Sequence, residues 1–130
     1  MLYTQLYPGR LCQPGLCSGI LLAMSQQPLL VYCTCPDHAT ALRIAEALVD
    51  RELAVCANII PGLTSVYRWQ GQRETASEVL LLIKTRQTVY PELQAAILTL
   101  HPYELPEIIA VPIEIGLPAY LAWIDSNTGV

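Results

Sequence analysis

The stretch AVCANIIPGLTSVYRWQGQRETASEVLLLI, residues 54–83, decides the architecture of this 130-residue chain. Ala54 to Ile60 is an apolar, β-prone run. Pro61-Gly62 interrupts it, β character resumes from Thr64 to Trp69, and Gln70-Gly71 is a turn signal. After the polar residues 72–78, Val79-Leu80-Leu81-Leu82-Ile83 is apolar without alternation, so both faces of that strand should be covered. The pattern predicts a long hairpin. Residues 54–69, fully extended at ~3.3 Å per residue, would run roughly 50 Å. A chain of this length has a radius of gyration of only ~14 Å, hence a diameter of roughly 35–40 Å. The arm must bend, with Pro61-Gly62 the expected place, or project.

Outward from the hairpin the pattern stays regular. Leu29 to Thr34 is a short apolar run ended by Pro36, consistent with a buried strand, and Asp37 can cap the helix that follows. That helix shows Ala41, Leu42, Ala45, Leu48 and Val49 on one face. Downstream, Thr88 can cap a second helix with Pro91 and Glu92 in its first turn and Leu93, Ala96, Ile97 and Leu100 at helical spacing. His101 to Glu107 is a stiff loop with two prolines. Ile108 to Val111 is a fourth strand, placed near an edge by Pro112, and Pro118 to Asp125 is a short terminal helix. The order predicts an α+β, ferredoxin-like βαββαβ sandwich with a long β2–β3 hairpin and a short C-terminal helix. Right-handed crossovers put both main helices on one sheet face, which leaves the other face, and the projecting arm, in need of cover. A two-stranded arm is marginal alone in water and exposes pairing edges, so self-association into a closed ring is expected.

Composition points the same way. Apolar residues make up 53% of the chain and charged residues only 14%, against a typical ~25%. Seven cations against eleven acids cannot build a broad phosphate-binding face, so nucleic acid is not the expected partner. No stretch reaches the ~18–20 uninterrupted apolar residues of a membrane span. Five cysteines cannot all pair internally, and they read as reduced and intracellular. Residues 1–28 have a different texture, punctuated by Pro8-Gly9 and Pro14-Gly15. Their short apolar run at 20–24 lacks a small-residue cleavage site. They are expected to form a flexible N-terminal extension, with Met24 an alternative biological start, ahead of a folded domain at 29–130.

Two groups of residues carry candidate chemistry. Cys33 and Cys35 lie two apart on an extended segment, so their side chains share a face. Two thiolates so placed suit a soft ion such as Cu(I), and His101 suits copper or zinc; core packing is the plain alternative. Cys56, among apolar neighbours, reads as core, and His38 as a solvated surface residue. Lys84 is the only lysine, at the end of a buried strand. Facing a cleft between subunits, it would hold an anion or be neutralised by Glu107, with Glu104 nearby and Tyr103 and Trp69 as aromatic walls. Arg68, Arg73, Glu74 and Glu78 flank the hairpin turn, where a solvated, edge-protecting role is the default. No Gly-rich phosphate loop and no Ser/His/Asp set with recognisable spacing occurs, so no enzymatic activity is expected.

Several blocks in series resemble the CutA family of divalent-cation tolerance proteins. They are Cys33-Thr34-Cys35-Pro36-Asp37, the run Ala57 to Gly71, Ile83-Lys84-Thr85, His101 to Glu107, and Tyr120 to Ile124. The resemblance covers about residues 29–125. It implies a ferredoxin-like subunit in a homotrimer with strand pairing between subunits, a cytoplasmic location, and a link to tolerance of copper and other divalent metals. In that family copper is associated with the Cys before Thr-x-Pro-Asp and with a His pair before Pro-Tyr. Here those positions are Cys33 and Leu100-His101, so the first His is absent and Cys35 is the residue placed to compensate. The resemblance thus implies a non-enzymatic copper- or divalent-metal-binding homotrimer with Cys33, His101 and Cys35 as ligands. The alternative is a PII-like small-ligand sensor binding a metabolite at an intersubunit cleft near Lys84, Tyr103, Glu107, Glu104 and Trp69.

Overall fold

Strand β1 (Pro28–Cys35) runs through the middle of the sheet in a computed structural model that describes residues 26–129. The expected extension falls outside the described residues as far as residue 25, Met24 included. Its last residues are tied in: Pro28 pairs with Arg86, and the Gln27 side chain donates to the Ile113 carbonyl at 3.0 Å.

Helix α1 (His38–Asp50) follows, with the Asp37 side chain accepting from the Thr40 amide at 2.8 Å as an N-cap should. Its buried stripe is Ala41, Ile44, Ala45 and Leu48, spaced i, i+3, i+4, i+7. Leu42 and Val49, expected on that face, are exposed, because each sits about 100° around the helix from the stripe's axis. The hairpin is long: β2 (Cys56–Trp69) has 14 residues and β3 (Gln72–Arg86) has 15. Gln70 (φ 51°) and Gly71 (φ 80°) both adopt the left-handed conformation that a two-residue type I′ turn requires.

Pro61-Gly62 does not end the strand. Ile60 pairs with Leu80 and Leu63 with Glu78, so β2 carries one extra residue there, a β-bulge with Gly62 at φ 83°. The extra residue reverses which side chains share a face. Before it Cys56, Asn58 and Ile60 lie beside Lys84, Leu82 and Leu80; after it Ser65, Tyr67 and Trp69 fall on that same face, beside Ala76, Glu74 and Gln72.

Helix α2 (Tyr90–Leu100) begins after Val89 rather than Thr88, with no side-chain cap bond; Pro91 and Glu92 stand in its first turn as the sequence suggests. Strand β4 (Ile109–Pro112) and helix α3 (Pro118–Ser126) complete the chain. The sheet order is β2-β3-β1-β4 with every pairing antiparallel, the split βαβ topology of the ferredoxin-like sandwich. Leu29, Val31, Cys33 and Cys35 of β1 and Val79, Leu81 and Ile83 of β3 face α1 and α2 and form the core with Ile44, Leu48, Leu93 and Ile97.

The opposite face differs from expectation. It has a helix after all: α3 packs against β3 and β1, burying Leu121 and Ile124. Arg86, on that face, fastens it by donating to the Thr128 carbonyl at 2.7 Å and pairing with Asp125 at 3.4 Å. Other apolar surface stays open, including Val66 on the arm, Ile109 and Val111 on the edge strand β4, and Ile115 and Leu117 ahead of α3.

Leu81 is wholly buried at the centre of β3. Leu81→Ala is expected to cost about 2–5 kcal/mol by loss of transfer energy plus a cavity, measured by denaturant titration at fixed protein concentration.

Candidate metal centre

Cys33 and Cys35 share a face, and it is the helix-facing one: both sulfurs are buried in the core, reduced and unpaired. His101 reaches them from the C-terminus of α2. Its own amide still bonds to Ile97 O (2.8 Å), but its backbone is already extended, the conformation favoured before Pro102. The ring therefore turns over the end of β1. Its Nε2 lies 2.8 Å from the Thr34 carbonyl, and its Nδ1 accepts the Tyr103 amide at 3.2 Å. An amide can only donate, so Nδ1 is the bare nitrogen and Nε2–H donates to Thr34. In this arrangement the two Cys sulfurs and a His101 ring nitrogen all lie within 4.8 Å of one another.

The two thiols are unequal. Cys33 Sγ lies 3.9 Å from the Thr34 carbonyl; its interaction with the Cys35 side chain first, then burial and the negative charges of Glu107 and Glu78, push Cys33 far above the usual thiol range. The same interaction, with Cys33, pulls Cys35 down. Two sulfurs and an imidazole nitrogen are a fitting donor set for Cu(I) or Zn²⁺. His101 can join only by giving up one of its two present bonds.

Beside the cluster lies an open pocket of about 750 Å³ between the hairpin arm and the 101–107 loop. It brings together Tyr103, Glu104, Glu107 and Trp69, four of the five residues expected to line a cleft, and adds Thr34, Tyr67, Arg68 and Glu78. The bulge is what turns Tyr67 and Trp69 toward it. Tyr103 connects pocket and cluster: its ring packs 4.7 Å from the His101 ring and its hydroxyl donates to Glu78 at 2.6 Å. Burial first, then the bond to the Glu78 carboxylate and its charge, raise the Tyr103 phenol well above its ordinary value.

Lys84, the fifth expected residue, is elsewhere in the chain. Its ammonium donates to the Asn58 side-chain carbonyl and to Cys56 Sγ (3.6 Å), where the Tyr120 hydroxyl also meets Cys56. Cys56 is accordingly half-buried on the sheet face away from the main core, and not a core residue as its neighbours suggested. Glu78 is the residue sequence reasoning missed. Read as a solvated edge residue, it is 7% exposed, because the 101–107 loop folds over it. The available signal was its parity with Leu80 and Leu82, which places it on an apolar strand face.

The unequal burial of the thiols makes a direct check. Alkylation followed by peptide mapping should label Cys56 about a hundredfold faster than Cys33 or Cys35, which react only through local opening.

Fold and site together define a small α+β domain of ferredoxin-like topology with a soft-donor cluster beside an acidic pocket. The profile of the CutA1 divalent ion tolerance proteins matches residues 29–127. The divalent-cation tolerance protein CutA of Thermus thermophilus is 49% identical over 100 residues, 77% of this chain and 97% of that protein. Protein CutA of Mus musculus is 45% identical over 97 residues, 75% of this chain and 55% of that longer protein. The solved structure of the Thermus thermophilus Cut A1 superposes with a TM-score of 0.77 at 48% identity, covering 78% of this chain and 99% of that one. The chain belongs to the CutA1 divalent ion tolerance family.

Proposed function

We propose that this chain is a non-enzymatic metal-binding protein that contributes to divalent-cation and copper tolerance, with Cys33, Cys35 and His101 as the ligands of a soft ion. The observation that carries this reading is the meeting of two thiols and an imidazole within 4.8 Å of one another. The names of its relatives, tolerance proteins for divalent cations, accord with it. A reducing compartment such as the cytoplasm suits a site built from two reduced thiols. The small-ligand sensor has less support. The lysine expected to hold an anion is bonded to Cys56 and Asn58, and the pocket's three carboxylates against one guanidinium repel anions. Competition with a chromophoric Cu(I) chelator tests the site. Wild-type protein should hold one tightly bound ion per chain. Cys33→Ser with Cys35→Ser should weaken it about a hundredfold or more, since each lost thiolate removes a direct ligand, and His101→Ala about tenfold. An unchanged affinity in the double variant would falsify the assignment.

We also propose that the working form is a homotrimer. The apolar residues left open on the arm, on β4 and ahead of α3 support it, since separate exposed patches of this kind mark interaction surfaces. The two sheet edges, β2 and β4, offer unpaired backbone groups to another copy. Sedimentation at micromolar concentration should give three times the chain mass; a folded single chain would overturn the assembly.

A further inference from the structure

The ion proposed for the cluster has no open path to it: Cys33 and Cys35 are fully buried and His101 nearly so. Two residues belong both to the cluster's surroundings and to the wall of the neighbouring pocket. Thr34 supplies the carbonyl that holds His101 Nε2–H, and Tyr103 supplies the amide that holds Nδ1. Tyr103 stands between the two spaces, with its ring against His101 and its hydroxyl latched to Glu78. The pocket itself is negative, with Glu78, Glu104 and Glu107 against Arg68. A wall of that sign concentrates cations and speeds their arrival.

We propose that the pocket is the loading vestibule of the metal centre and that the Tyr103 side chain is its gate, a positioning residue whose outward movement opens the path to the cluster. This rests on the metal-binding reading above. Glu78 is the latch's other half, and Glu104 and Glu107 draw cations to the mouth. The closed form protects the thiols and the imidazole from solvent.

The test is stopped-flow binding of Cd²⁺ alone to the full chain, followed by thiolate-to-cadmium ultraviolet absorbance. The Cys33→Ser/Cys35→Ser protein supplies the background from the other cysteines. Tyr103→Phe keeps the ring and the amide but removes the latch. It should raise the association and dissociation rate constants together, by about tenfold, and leave Kd within about twofold, as the loss of one hydrogen bond to a charged acceptor implies. A merely structural role would change Kd or stability without that paired rise. Glu78→Gln, a second way to weaken the latch, should move both rates in the same direction. Glu104→Gln with Glu107→Gln should slow association severalfold at low salt and flatten its dependence on ionic strength. If Tyr103→Phe and Glu78→Gln leave both rate constants unchanged while wild-type protein binds through its cysteines, the gate is overturned and the metal centre stands. If wild-type protein shows no signal above the background of the Cys33→Ser/Cys35→Ser protein, both fall.

Discussion

The ladder between β1 and β3, Pro28–Cys35 against Val79–Arg86, is the constraint on which the rest of the molecule depends. Both strands are apolar on both faces, so neither can tolerate water on either side. On one side the demand is met by α1 and α2, whose buried stripes are cut to the sheet's width. On the other it is met partly by α3, held in place by the Arg86 side chain. The ladder also sets the location of the chemistry. Cys33 and Cys35 are two rungs of its helix-facing side, and Thr34 between them presents its side chain to the opposite face while its carbonyl meets His101.

From that ladder the pocket follows through two irregularities. The extra residue at Pro61-Gly62 shifts parity along the arm and sends Tyr67 and Trp69 to the side where Glu78 lies. The extended backbone at His101, ahead of Pro102, ends α2 and brings the 101–107 loop across the end of β1. Neither feature is a defect in regular structure. Each converts a pattern that would have stayed flat into a concave wall, and their meeting point is Tyr103.

Much of this was legible in the residues. The order of elements, the long hairpin and its Gln70-Gly71 turn follow from hydrophobic period and turn chemistry, which act locally. The shared face of Cys33 and Cys35 follows from strand alternation alone. Other features were not legible, for physical reasons. Alternation says that Leu80 and Glu78 are neighbours on a face, but whether a loop covers Glu78 depends on a segment some 25 residues further on. Lys84, at the end of a buried strand, pairs with Glu107 of the 101–107 loop only on the supposition that it faces a cleft between subunits. In the fold its partners are Cys56 and Asn58 across the hairpin, a pairing that requires the register.

Period, turn residues and donor chemistry, all short-range properties written along the chain, were therefore sufficient to establish the βαββαβ order and to single out the thiol pair and His101. Which sheet face receives the thiols, that α3 lies over the other face, that Glu78 is buried, and that Tyr103 stands between pocket and cluster were decided only by tertiary packing. Those outcomes turn on contacts between segments far apart in sequence, where one inserted residue in a strand or one helix end reverses what faces what.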